Sequence, residues 1–318
     1  MRAVVWDGQL RVDPSYPQPV PPPGEALIRV SLAGICNTDL ELMKGYQGFR
    51  GVLGHEFVGV VEDSPVPALV GQRVVGEINA YCGICDTCRS GLLTHCPHAT
   101  TLGISGRDGA FAEYVSLPAR LLHVVDNSIP DRAAVFVEPL AAAVEILEQV
   151  SVRPSDRVVV LGDGKLGLLV SQVLSLTGCD LVVVGRHEDK LAILSRRGIA
   201  VALEEQSADL DRADIVVDCV GRPEGFALAR RLLRCGGTLV LKSTYHGQAE
   251  VDLTSLVVDE ITLVGSRCGP FGPALRMLAM GLVEVEPLID AVYAIDEGVQ
   301  AFERAAERGS LKVLLRPG

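Results

Sequence analysis

The sequence predicts a two-domain α/β chain, a small and mostly β portion followed by a mostly parallel sheet interleaved with helices. Three observations carry that expectation. A chain of 318 residues can bury a substantial core and ordinarily divides into two domains. From Arg157 onward, short runs of β-formers alternate with helix-forming runs, as in repeated βα units. Before that point, strand-like runs are joined by connections carrying cysteine, histidine and acidic residues.

Composition narrows the function. The 48% hydrophobic and 22% charged content fits an ordered chain. A formal net charge of -11 argues against a binder of nucleic-acid backbones, which needs a basic footprint, though a local basic pocket for a phosphorylated cofactor is compatible with it. No run is long and apolar enough for a membrane span, and Asp7 interrupts any signal-like segment, so the cytoplasm is the expected location. Four of the nine cysteines are bunched within one short interval, which favours metal coordination in a reducing compartment over disulfides.

In chain order, Val4-Val5-Trp6 begins a strand, and the proline-rich run from Pro17 to Gly24 is an irregular connection. Glu25 to Leu32 alternates as a strand, after which Gly34 permits a close turn presenting Cys36 at the start of a short helix spanning Asp39 to Lys44. Val52 to Val61 returns to strand composition and contains Gly54-His55-Glu56. Strands are also expected at Leu69 to Val75 and Phe111 to Pro118. Glu138 lies between apolar residues, where an unpaired acid is costly unless it is paired or bound to a metal, and Pro139 opens a helix behind it.

Cys36, His55, Glu56 and Glu138 together suggest one buried metal centre. Thiolate and imidazole are ordinary zinc donors, and Glu56 is a ligand, a nearby carboxylate or an orienting partner. Each residue also has a plainer reading: an inert core cysteine, a hydrogen-bonded structural histidine, and a helix cap at Glu138. Cys82, Cys85, Cys88 and Cys96 form a C-x2-C-x2-C-x7-C pattern whose thiolates can converge on a tetrahedral ion. Four sulfurs also suit an iron-sulfur cluster, the alternative for this lobe.

The second half reads as a Rossmann domain. A strand at Arg157 to Leu161 runs into Gly162-Asp163-Gly164-Lys165-Leu166-Gly167 and a helix, and the G-x-G-x-x-G spacing allows a tight turn and close approach of a pyrophosphate. The next strand, from Leu181, ends in Gly185-Arg186, where NAD-binding sheets usually place an acid for the ribose hydroxyls. A glycine and a cation there predict NADP in preference to NAD, with Arg186 on the 2'-phosphate. Pairing of Arg186 with Glu188 or Asp189 is the surface-charge alternative.

The stretches Gly34-Ile35-Cys36-Asn37-Thr38-Asp39 and Gly54-His55-Glu56-Phe57-Val58-Gly59 resemble motifs of the zinc-dependent medium-chain alcohol and polyol dehydrogenases. Nearly the whole chain shares the likeness once the cysteine cluster and glycine loop are included. The resemblance implies a Rossmann nicotinamide-cofactor domain at 146–269 and a discontinuous, mostly β GroES-like catalytic domain at 1–145 and 270–318. It makes Cys36, His55 and Glu138 ligands of a catalytic zinc, with Glu56 beside the metal and exchanging with water or another ligand. Thr38 becomes the hydroxyl beside the reacting alcohol, and Asp39 the partner of the far nitrogen of His55. Cys82, Cys85, Cys88 and Cys96 become a structural zinc lobe.

Beyond the ligand sets, the resemblance brings Val220, Gly221, Ser243 and Thr244 near the nicotinamide. Glu41 stands where many relatives have a proton-relaying histidine. The activity implied is NAD(P)-linked oxidation of an alcohol or polyol to an aldehyde or ketone, and the reverse, in a homodimer or homotetramer whose cofactor domains join near Ile261 to Gly265. Glucose-type sugar or threonine dehydrogenases share the local pattern. A zinc-free quinone or enone reductase, or a non-enzymatic NADP-binding sensor, are the readings from other classes.

Overall fold

The computed structural model describes residues 1–244 and 250–318, and the chain divides into two compact units. The first comprises Met1–Glu138, Ala274–Met280 and Leu288–Gly318; the second comprises Pro139–Pro273 and Gly281–Pro287.

Within the first unit, a seven-stranded sheet runs in the order Leu122–Val124, Arg73–Gly76, Glu56–Asp63, Glu25–Gly34, Lys312–Arg316 and Ile289–Ala294, with Tyr114–Pro118 also paired to Glu25–Gly34. Glu25–Gly34 is central because it alternates strictly: Ala26, Ile28, Val30 and Leu32 are buried while Arg29 is exposed. Its far end turns apolar on both faces, with Ala33 and Ile35 fully buried. Lys312–Arg316, from the end of the chain, pairs antiparallel with that end through Leu314 opposite Gly34 and Leu315 opposite Ala33. The carboxyl-terminal strand thereby completes the sheet that carries the motifs of the first 60 residues.

The second unit is a six-stranded parallel sheet in the order Ala200–Leu203, Asp180–Gly185, Arg157–Leu161, Ala213–Asp218, Leu233–Leu241, Thr262–Gly265. Counted along the chain this is 3-2-1-4-5-6, the Rossmann order with its ligand crevice at the carboxyl ends. Val158, Val159, Val160 and Leu161 are all fully buried, as expected for an inner strand covered on both faces. Helices Lys165–Ser175, Glu188–Ser195 and Pro223–Leu232 return the chain between strands. Among the described residues no helix is long and apolar enough to cross a membrane.

Candidate metal centres and cofactor loop

Three strand ends build the first cluster. Gly34 lies opposite Glu56 in the antiparallel pair, so the segments leading to Cys36 and from His55 emerge at the same place. Cys36, His55 and Glu56 each bring a donor atom within 4.8 Å of the others. His55 and Glu56 are buried, at 3% and 0% exposure. Gly54, just before them, has φ +98°, and a Cβ there would sit 2.5 Å from the Phe111 ring. A side chain at Gly54 is therefore excluded by both backbone and packing.

Gly34 works differently from the close turn expected of it. Its φ is not in the left-handed region, but a Cβ would fall 2.6 Å from Glu56 Oε2 and 3.2 Å from Lys312 Cδ. Space rather than backbone freedom requires the glycine.

Cys36 leads into helix Asn37–Met43, and Asp39 fastens the junction: one oxygen accepts from the Cys36 N–H at 2.8 Å and the other lies 3.3 Å from His55 Nδ1. Asp39 is fully buried. Burial alone would lower the His55 pKa, but Asp39, with Cys36 adding to it, holds it well above the ordinary histidine range. With Nδ1 turned to Asp39, the other ring nitrogen is the one left for the cluster. Thr38 Oγ1 lies 3.7 Å from Cys36 Sγ.

Lys312 is the residue that motif reading missed. It is 1% exposed and donates to Glu56 Oε2, with its ammonium 5.6 Å from the centre of the Phe136 ring. Burial opposes its charge, yet Glu56, Cys36 and Glu138 hold its pKa above the ordinary lysine value. A lone lysine opening the apolar run Val313-Leu314-Leu315 was the available signal.

Glu56 Oε1 is buried with no hydrogen-bond partner among the described residues, as are Asp39 Oδ1 and His55 Nδ1, whose 3.3 Å approach falls short of a hydrogen bond. A buried carboxylate oxygen without a donor is expensive, and next to a thiol and an imidazole it has the chemistry of a zinc ligand. The residues fit the metal. Glu138 stands in the first turn of helix Val137–Gln149, half-buried, and its charge acts on Lys312. It is not one of the three gathered donors. Glu41 is engaged by Lys44 at 2.7 Å.

The second cluster is built from one loop. Cys82, Cys85, Cys88 and Cys96 bring their sulfurs within 4.8 Å of one another, with Cys82 to Cys88 and Cys85 to Cys96 at 3.9 Å and Cys82 to Cys96 at 3.6 Å. None is in a disulfide. Backbone N–H groups of Ile84 and Cys85 draw the Cys82 thiol down to about 6, whereas burial pushes Cys88 up to about 12. Four sulfurs this close could all be thiolates only around a cation, so this set also fits zinc, in a closed site with no position left for substrate.

At the cofactor loop, Gly162 takes φ +110°, Gly164 caps helix Lys165–Ser175, and Gly167 packs so closely that a Cβ would lie 2.0 Å from the Gly162 carbonyl oxygen. Lys165 and Leu166 form the first helical residues behind the turn. Val220 and Gly221 follow the strand Ala213–Asp218, and Ser243 and Thr244 follow Leu233–Leu241. Gly221, at φ +68°, lies against Ser243, since a Cβ there would be 3.5 Å from the Ser243 Cβ. Gly185 ends the strand Asp180–Gly185, so all these residues share the carboxyl edge of the sheet. The Arg186 guanidinium is bidentate on Glu204, with Nη2 2.9 Å from Oε1, and not on Glu188 or Asp189.

Comparison with known proteins agrees with both halves. Residues 22–127 match the profile of the alcohol dehydrogenase GroES-like domain, and residues 166–280 that of the zinc-binding dehydrogenases. A sorbitol dehydrogenase of Halalkalibacterium halodurans is 30% identical, the match covering 95% of this chain and 94% of the relative. A zinc-binding dehydrogenase of Sinorhizobium meliloti 1021 bound to NADP superposes with TM-score 0.90 at 26% identity, over 99% of each chain. An alcohol dehydrogenase (rspB) of E. coli CFT073 complexed with NADH gives TM-score 0.90 at 25% identity, again over 99% of each chain. With two metal-ligand clusters, a GroES-like unit and a Rossmann unit in one polypeptide, the chain belongs to the zinc-dependent medium-chain dehydrogenase/reductase family of NAD(P)-dependent oxidoreductases.

Proposed function

We propose that the chain catalyses zinc-dependent, NAD(P)-linked oxidation of an alcohol or polyol to the aldehyde or ketone, and the reverse reduction. The observation that carries this reading is the partnerless, buried Oε1 of Glu56 beside Cys36 and His55. Cys36, His55 and Glu56 would hold the catalytic zinc, with Glu138 as the further carboxylate that exchanges with Glu56. When bound, the ion supplies Lewis-acid polarisation of the substrate oxygen, and the nicotinamide supplies the hydride acceptor.

The chain's own residues do the rest. Thr38 would relay the alcohol proton, its hydroxyl accepting it while passing its own on toward solvent, directly or through ordered water and cofactor hydroxyls. Asp39 sets a carboxylate 3.3 Å from His55 Nδ1 and so would orient the ring and favour a proton on that nitrogen. Lys312 holds one Glu56 oxygen, which leaves the other to the metal cluster. Cys82, Cys85, Cys88 and Cys96 would hold the structural zinc, while Gly162, Gly164, Lys165, Leu166 and Gly167 cradle the pyrophosphate and Gly185, Arg186, Val220, Ser243 and Thr244 line the rest of the cofactor crevice. Residues 1–145 with 270–318 would serve as the catalytic domain and 146–269 as the cofactor domain, a functional division that departs from the compact units at 139–145, 270–273 and 281–287.

Similarity to a sorbitol dehydrogenase supports a polyol as substrate. A turnover screen of purified protein over alcohols, polyols, aldoses and threonine, each with NAD and NADP, tests the reading. Polyol turnover that chelation abolishes supports it; reduction of quinones or enones that survives chelation, or cofactor binding with no turnover, contradicts it.

Copies of the chain are proposed to pair through the cofactor unit. Thr262–Gly265 is an edge strand with Leu263 47% exposed, and Leu253, Val257 and Val258 of the neighbouring helix Leu253–Val258 are 68–76% exposed. An open edge strand beside exposed apolar side chains suits a homodimer or homotetramer. Nine cysteines, none in a disulfide, suit a reducing cytoplasm.

A further inference from the structure

The adenosine end of the cofactor site contains a carboxylate that no strand-end motif announces. Asp163, the second residue of the glycine loop, is only 7% exposed. Its Oδ2 accepts from the Arg186 N–H at 2.6 Å and the His187 N–H at 2.7 Å, and the His187 ring nitrogen Nδ1 lies 3.0 to 3.1 Å from its two oxygens. A Cβ on Gly185 would fall 2.7 Å from Asp163 Cβ and Oδ2. The strand-end acid of an NAD site and Asp163 therefore cannot both be present. Gly185 is small because Asp163 occupies that space.

Charge points the same way. The two backbone amides following the strand are the donors a 2'-phosphate would seek, and Asp163 already holds both. Arg186, the cation available to that phosphate, is gripped by Glu204. Glu224 adds a further negative charge near Arg186, and Arg222 a positive one near Glu204. Among these side chains three acids face two guanidinium groups, with the His187 ring already set against Asp163. A phosphate dianion meets net negative charge, whereas a ribose diol finds an acceptor in Asp163 Oδ1, which among the described residues holds only the His187 ring contact.

Resting on the nicotinamide reading above, we propose that Asp163 selects NAD over NADP. It supplies from the glycine loop the carboxylate that other Rossmann sheets place at the strand end, with Glu204 keeping Arg186 from the 2'-phosphate. The preference for NADP expected from Gly185 and Arg186 is thereby reversed.

Titration of the zinc-loaded protein with NADH and NADPH, followed by the fluorescence of the reduced nicotinamide, tests this. The wild type is expected to bind NADH at least about tenfold more tightly, since a like-charge contact outweighs the 1.4 kcal/mol that tenfold represents. Asp163→Asn, which keeps the shape and removes the charge, is expected to narrow the ratio by about tenfold, and Glu204→Gln to strengthen NADPH binding about fivefold by releasing Arg186. The surface change at Glu204 keeps the test valid if Asp163→Asn fails to fold. Tighter binding of NADPH by the wild type, or ratios unmoved within twofold in the variants that fold, overturns the selection and leaves the nicotinamide reading intact. Binding of neither cofactor overturns both.

Discussion

The two metal-ligand clusters differ in how the chain makes them. The four-sulfur cluster is local: Cys82 to Cys96 fold back within one loop, and nothing distant is needed to bring the thiols together. The Cys36/His55/Glu56 cluster depends on a sheet register, with Gly34 opposite Glu56 and Leu314 opposite Gly34, and it recruits Lys312 from the other end of the sequence. One set offers a metal only sulfur and closes around it. The other leaves one buried carboxylate oxygen unsatisfied, pairs the other with a lysine and keeps a hydroxyl, Thr38, beside the thiol. Closure suits a structural ion and an incomplete set suits a reactive one.

The largest effect should separate the two cleanly. Cys36→Ser is expected to reduce kcat/KM by at least about 10³, the loss of several kcal/mol of Lewis-acid stabilisation, while the protein keeps the zinc of the cysteine loop. Cys88→Ser should instead lose the loop zinc and roughly 5–10 °C in thermal midpoint, at 2–4 °C per kcal/mol, with turnover per folded molecule far less affected. Metal analysis, calorimetry and kinetics on both variants would break the comparison if the effects were exchanged.

Lys312→Met sharpens it. Removing one member of a buried ion pair strands the other, and the metal-free variant should lose about 3–5 kcal/mol in denaturant unfolding. Zinc should restore part of that loss, because Glu56 then has a cation. An equal loss with and without zinc would dissociate Lys312 from the metal cluster.

Asp39→Asn, which leaves the helix cap an acceptor but removes the charge facing His55, is expected to cost about 10–100-fold in zinc affinity or turnover. Glu138→Ala should have the smallest effect, roughly tenfold weaker retention of the catalytic zinc with reduced hydride transfer and the loop zinc untouched. Competition with a chelator reads both.

Much of the architecture was legible in advance. The βα alternation from Arg157 announced the parallel sheet, and the glycine loop announced its crevice, because both are local patterns of side chain and turn. Thr38, Cys36, His55 and Glu56 were legible through motif resemblance, and the structure gathers them at one end of two neighbouring strands. Lys312 was not, since its meaning arises only from pairing across the sheet with a strand far away in sequence. Asp163 was hidden for a different reason: it sits at a variable position of the glycine motif, and its contacts with Arg186 and His187 need the first two strands side by side. Gly185 was read as the absence of an acid, whereas the fold uses it as room for one. Glu204 reaches Arg186 because Leu203 pairs with Gly185 in the edge strand, a register no spacing rule reveals.

Anomalous diffraction at the zinc absorption edge, from crystals of the purified protein, bears most directly on the division of labour between the clusters. Two peaks per chain are expected, one among the sulfurs of Cys82, Cys85, Cys88 and Cys96 and one against Cys36, His55 and a carboxylate. A lone peak in the cysteine loop, with Glu56 still turned only to Lys312, would contradict it.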